Sequence, residues 1–162
     1  MSDTVTANRD TRLHDPSRSH VRRVLVVANQ AGTDPALLTA LRDRAERGAV
    51  SFHLVVPALN TRLRHWLSDT DDAVSVACRR GDDAVAVLAS HGLTVSMEIG
   101  DSVPLLAIDD AMAQFHAEEI VISTLPPDRS HWLEHDLVAL AGRRFSVPVR
   151  HVIAADDVAL AA

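Results

Sequence analysis

Apolar and polar positions fall into a regular pattern only from Val21 onward. Before that, residues 1–20 carry three scattered aliphatic residues, Val5, Ala7 and Leu13, among Asp, Arg, Ser, Thr and His. Such a stretch cannot bury enough surface to offset its ordering entropy, and it is predicted to be a mobile N-terminal tail. Residues 24–28 are a short apolar run, the first predicted strand. Asp34 followed by Pro35 marks a helix start, with a capping side chain and a proline in the first turn. Leu37, Leu38, Leu41 and Ala45 then share a face, and Gly48 ends that first helix.

Residues 52–56 predict a second strand stopped by Pro57. A second helix follows over about 71–90, with Val74, Cys78, Val85 and Leu88 expected inward and Gly92 just past its end. Gly81 lies inside it at a cost of about 1 kcal/mol relative to Ala, so a kink there is an option. Residues 94–99 alternate, with Val95, Met97 and Ile99 on one face and Thr94, Ser96 and Glu98 on the other. That is the pattern of a third strand. A third helix begins after Gly100-Asp101-Ser102 with Pro104 in its first turn, and turns Leu105, Ile108, Met112 and Phe115 inward. Residues 120–123 give a fourth strand, 130–144 a fourth helix and 147–152 a fifth strand.

Strands alternating with helices imply an α/β domain over 21–153, with a parallel sheet covered by helices on both faces. Residues 154–162 form an Ala-rich C-terminal tail. Strand texture also bears on the order. Strands 1, 2 and 4 are apolar runs, as inner strands covered on both sides are. Strand 3 alternates, and strand 5 contains Pro148, a residue kept to edges and strand starts. Edges at 3 and 5 fit the order 3-2-1-4-5 better than the flavodoxin-like 2-1-3-4-5.

Composition removes several chemistries. The 162 residues include 16 basic ones, every one Arg. With no Lys, Schiff-base and pyridoxal chemistry, a Walker-type phosphate loop and a protein-kinase site are all excluded. A net charge of −6 argues against general nucleic-acid binding. Cys78 is the single cysteine, so neither an internal disulfide nor a Cys-rich zinc site can form. No apolar run is long enough to span a membrane, and the N-terminal residues lack the apolar core of a secretory signal, so the expected location is cytoplasmic.

In a sheet of this order ligands bind beyond the carboxyl ends of the strands where the winding reverses, here between strands 1 and 4. The facing segments are residues 29–34 and 123–131. The candidate ligand-binding residues are Asn29, Gln30, Val56, Ser123, Thr124, Arg129, Ser130 and His131. A fourth helix starting near Arg129 and Ser130 would point free amides and its positive end into the crevice, and Arg129 could hold a phosphate with two bonds. The alternative is that Arg129 is a solvated loop residue.

Four segments resemble the universal stress proteins of the adenine-nucleotide α-hydrolase-like superfamily. They are Val24-Leu25-Val26-Val27, Gly100-Asp101 before a helix, the run from Ala117 through Glu118, Glu119, Ile120, Val121, Ile122 and Ser123 to Thr124, and Val147-Pro148-Val149-Arg150-His151-Val152. The resemblance spans about 23–152 and implies the strand order 3-2-1-4-5. It also implies stress-response function without catalysis and a homodimer. Family members that bind ATP carry, after strand 4, a Gly, two residues, a Gly, nine residues, and Gly-Ser or Gly-Thr. This chain has Ser123-Thr124-Leu125-Pro126-Pro127-Asp128-Arg129-Ser130 there, with no Gly between Asp101 and Gly142. Pro126 and Pro127 each remove an amide donor. Asn29 stands where the family usually has Asp. The Ser-Thr-Leu-Pro segment is most similar to that of small actinobacterial relatives, and it implies a member without the usual ATP loop.

Other chemistries find little support. A receiver domain needs an acidic pair after strand 1 and a Lys after strand 5, where this chain has Asn29-Gln30 and no Lys. Flavin binding would want aromatic stackers, and there are five aromatics and no Tyr. His131 and His135 are spaced as helical metal ligands but lack an evident third, so no metal is expected. The acidic doublets Asp71-Asp72, Asp82-Asp83, Asp109-Asp110 and Glu118-Glu119 are sequence neighbours, read as solvated faces rather than catalytic pairs. Cys78 reads as a buried small hydrophobe. The ending Ala159-Leu160-Ala161-Ala162 resembles a degradation tag, which an Ala-rich chain also reaches by chance.

The expectation is a non-catalytic stress protein that binds a small ligand or a protein partner, needs no cofactor and dimerises through the strand 5 edge, which must be paired or protected. Neither nucleic acid nor membrane is an expected partner. The alternatives are an adenine-nucleotide binder (ATP or AMP) with a remodelled loop after strand 4, and a weak nucleotide hydrolase.

Overall fold

The computed structural model describes residues 20–58, 70–130 and 136–155. The predicted N-terminal tail lies outside these residues except for its last position, as does the C-terminal tail beyond Ala155. Five parallel strands form one sheet in the order β3-β2-β1-β4-β5. They are Arg22–Val27 (β1), Val50–Pro57 (β2), Val95–Gly100 (β3), Glu119–Thr124 (β4) and Val149–Ile153 (β5). The order anticipated from strand texture is the one observed.

The helices are Pro35–Glu46 (α1), Thr70–Ser90 (α2), Pro104–Phe115 (α3) and Leu137–Arg144 (α4). Alternation along each strand divides the core in two. Val24, Val26, Ala28, Phe52, Leu54 and Val56 face α1 and α2, where they meet Leu37, Leu41, Ala77 and Leu88. Leu25, Val27, Val55, Ile120 and Ile122 face α3 and α4, meeting Ile108, Ala111, Leu137 and Ala141. Fully burying a side chain such as Leu25 or Phe52 stabilises the fold by roughly 1.5–3 kcal/mol. Val27 lies opposite Val55 on one side and Ile122 on the other, which fixes the C-terminal ends of β1, β2 and β4 side by side.

An Asp cap explains the start of α1, and an Asp-closed turn leads into α3. The Asp34 carboxylate accepts from the Ala36 amide at 2.7 Å, and Pro35 opens α1 as its sequence implied. Asp101 accepts from the Val103 amide at 2.7 Å just ahead of Pro104 and α3. Pro148 precedes β5, where its carbonyl accepts from the Ile120 amide at 2.9 Å. A proline can serve there because only its acceptor is needed.

Two expectations about the helices are corrected. The inward stripe of α2 is Ala77, Gly81, Ala84 and Leu88, while Val74 is exposed and Cys78 and Val85 are partly buried. The helix is turned by about one residue from the pattern of largest side chains. Its small residues face the sheet, and the Met97 side chain occupies the space a Cβ on Gly81 would need. The helix runs unbroken through Gly81. The second correction concerns the fourth helix. Ser130 is not helical and Asp136 has φ 49°, a left-handed conformation that no α-helix passes through. No helix runs continuously from Ser130 to Arg144.

Two of the acidic doublets, Asp109-Asp110 and Glu118-Glu119, supply structural ties. Glu119 pairs with Arg44 of α1 at 3.0 Å, and Asp109 pairs with Arg144 of α4 at 2.6 Å. Glu118 accepts from the Arg23 amide at 3.1 Å and pairs with His20, and these contacts hold its carboxyl below the usual carboxylate range. No described helix is long and apolar enough to cross a membrane.

Candidate functional site

The chain leaves β1 at Ala28 and turns through residues 29–34 into α1, beside the end of β4 where Ser123 and Thr124 lie. Asn29 is the centre of this fork. It is buried, its Nδ2 donates to the Pro57 carbonyl at 2.7 Å, and its Oδ1 accepts from the guanidinium of Arg80 on α2. Asn29 therefore ties together the ends of β1 and β2 and the middle of α2. The loop lies close to α2 one turn further on, where a Cβ on Gly32 would sit 3.1 Å from the Ala84 Cβ.

Ser123 and Thr124 face opposite sides of the sheet. Ser123 follows Val121 in the alternation and pairs in register with Val152, both in the core under α1 and α2. Ser123 is 1% exposed, and its Oγ is the only buried side-chain polar atom without a hydrogen-bond partner among the described residues. Thr124 Oγ1 is 2.8 Å from His151 Nε2, and its carbonyl accepts from the Ala154 amide at 2.8 Å. Partial burial pushes the His151 imidazole below its ordinary pKa, which favours the neutral ring near neutral pH.

The remaining candidates divide. Val56 is a core residue of β2, and Gln30 is exposed. Ser130 is buried, at 6% exposure, and Arg129 is exposed in the turn after β4. His131 and His135 lie outside the described residues. The expected free amide at Arg129 is corrected: it donates to the Pro126 carbonyl at 2.9 Å and closes a turn. Pro126 supplies the acceptor of this turn, and Pro127 within it has no amide to donate. No group of three or more His, Cys, Asp or Glu that could hold a metal occurs among the described residues.

Arg80, Pro57 and His151 join the site from outside the two segments singled out by sequence. No motif in the sequence singles out Arg80. The available signal was the small-residue spacing Ala77-Gly81-Ala84, which brings that part of α2 against the sheet and the loop. Asp34 accepts from the Ala155 amide at 3.3 Å as well as capping α1, so the chain after β5 closes the opposite side of the fork.

No protein-family model matches the chain, and no curated protein does. Solved structures do match in fold. A universal stress protein from Archaeoglobus fulgidus aligns with TM-score 0.58 at 16% identity, covering 81% of this chain and 93% of that one. A universal stress protein in complex with cAMP aligns with TM-score 0.55 at 15% identity, covering 83% and 98%. An Arabidopsis thaliana universal stress protein family protein with AMP bound aligns with TM-score 0.54 at 12% identity, covering 84% and 94%. The chain has the universal stress protein fold, as its motifs implied.

Proposed function

We propose that the protein is a non-catalytic binding protein whose ligand site is the fork between β1 and β4, without the glycine loop used for ATP. The observation that carries this reading is the buried, unpartnered Ser123 hydroxyl beside a polar cluster at that fork. A buried hydroxyl without a partner costs folding free energy, and such groups in native proteins commonly have a functional reason. The crevice sits where ligands bind in open α/β sheets. A catalytic role gains no support from the described residues, which contain no metal cluster and no nucleophile elbow at Ser123.

A second reading is favoured by the comparisons: two of the fold neighbours were solved with cAMP or AMP bound. An adenine nucleotide would then be held by the remodelled segment 123–130 and by Asn29 instead of a glycine loop. Titration of isotope-labelled protein with ATP, AMP, cAMP and adenosine tests both readings by the amide shifts of Asn29, Ser123 and Thr124. Perturbation by nucleotides supports the second reading. If every member of the panel leaves these amides unmoved, while a metabolite extract does too, the ligand site is refuted.

The proposal extends to assembly and location. β5 pairs with β4 alone among the described strands, and Ile153 on it is 47% exposed, which fits a homodimer through that edge in a cytoplasmic protein. A monomeric mass by light scattering at micromolar concentration would remove the dimer.

A further inference from the structure

Arg80 stands out among the described cations. It is partly buried, projects from α2 onto the fork, and among the described residues has one polar partner, the neutral amide oxygen of Asn29. Arg44, Arg22 and Arg144 pair with carboxylates, whereas Arg80 has no carboxylate beside it among the described residues. A partly desolvated guanidinium is stabilised by an anion, and leaving it without one costs folding free energy.

The geometry also holds the group still. Asn29 is anchored from its other end by the bond from Nδ2 to the Pro57 carbonyl at 2.7 Å. The Asn29 oxygen accepts from one terminal nitrogen of Arg80, Nη1. A guanidinium carries five N–H donors in a rigid plane, so the edge formed by Nε and the second terminal nitrogen keeps its paired donors. That edge matches the spacing of two phosphate oxygens. The Ser123 hydroxyl, at the C-terminal end of β4 in register with Val152 and without a hydrogen-bond partner among the described residues, is an independent buried polar group at the carboxyl end of the sheet.

We infer that Arg80 is an anion-binding residue of this crevice, taking the phosphate of a phosphate-bearing small molecule while Asn29 fixes its orientation. This rests on the fork being a ligand site, and it names the ligand's chemical class and the group that reads it. The charge is supplied from α2. It does not depend on a glycine loop after β4, and no glycine lies between Asp101 and Gly142.

The test uses inorganic phosphate, AMP and adenosine against the full chain and two variants, Arg80→Gln and Arg80→Lys. Gln keeps a donor for Asn29 without the charge, and Lys keeps the charge without the fork. Thermal melting of each variant establishes that it folds. The expected result is that AMP and phosphate bind the wild type at least tenfold more tightly than Arg80→Gln, with Arg80→Lys between them, and that adenosine does not discriminate. AMP binding equally to wild type and Arg80→Gln overturns the role of Arg80 while leaving the crevice as a ligand site. Phosphate and AMP both failing on the wild type overturns the phosphate class, and a crevice response to adenosine in that case keeps the binding reading intact. Should neither variant fold, loss of AMP binding with rising salt in the wild type supports the charge contact, and salt-independent binding overturns it.

Discussion

Gly100, the last residue of β3, lies against Ala107 of α3 so closely that a Cβ on it would sit 2.6 Å from the Ala107 Cβ and 2.8 Å from Val55 Cγ1. Neither neighbour can swing aside, since one is a methyl fixed to a helix and the other belongs to a stiff β-branched side chain. Gly100→Ala is therefore expected to destabilise by about 1–3 kcal/mol through overpacking. Gly81→Ala meets only the flexible side chain of Met97, with Sδ and Cε at 2.9 Å and Cγ at 3.2 Å, and gains about 1 kcal/mol of helix propensity. Urea denaturation should show Gly81→Ala near neutral and Gly100→Ala clearly weakened. Equal losses in the two would mean that Met97 is as fixed as Ala107.

Asn29→Ala removes the donor to the buried Pro57 carbonyl and the acceptor for Arg80. An expected loss of about 1–3 kcal/mol follows from the unsatisfied carbonyl alone. Because Arg80 reaches the fold's polar network through Asn29, the Arg80→Ala loss should fall when Asn29 is already Ala. Additive losses in this double-mutant cycle would show that the two side chains are not coupled.

Ser123→Ala should stabilise the chain by about 1 kcal/mol, because it deletes a buried hydroxyl that makes no hydrogen bond to any described residue. The same change should weaken whatever ligand the fork binds. A loss of stability in equilibrium unfolding would mean that the hydroxyl has a bonding partner in solution.

Asp34→Ala is expected to cost about 1 kcal/mol as a lost N-cap. It should also speed hydrogen exchange at Ala155, whose amide donates to the same carboxylate oxygen at 3.3 Å. Asp34→Asn should retain most of the cap. Unchanged exchange at Ala155 in the Ala variant would show that the contact with the chain after β5 is incidental.

His151 gives a pH dependence whose sign is fixed. Its folded pKa is lowered by burial, so the unfolded chain takes up the proton first as pH falls below about 6.5. Its contribution to stability is present above that pH, declines as pH drops toward the folded pKa, and levels off below it. The urea midpoint of the wild type should therefore fall more between pH 7.5 and 5 than that of His151→Gln. Parallel curves would remove His151 as the source.

Much of the architecture follows from local pattern. Apolar runs marked the inner strands, alternation and Pro148 marked the two edges, and Asp34-Pro35 marked the start of α1. Each of these signals is a residue's own conformational or solvation preference, read at the period of its element. The rotation of α2 was misjudged because the periodic signal favours large side chains, whereas close packing placed Ala77, Gly81 and Ala84 against the sheet.

The site divides along the same line. The sequence located the fork between β1 and β4 through strand order, and it placed Pro126 and Pro127, with no glycine, in the segment after β4. The tertiary structure alone decided that Arg80 meets Asn29, that Ser123 is left without a partner, and that the Arg129 amide is spent in a turn. These are relationships between groups far apart in the chain, or between a group and a space. They depend on how closely helix and sheet approach, a distance set by packing of the whole core and not by the preferences of the residues that it brings together.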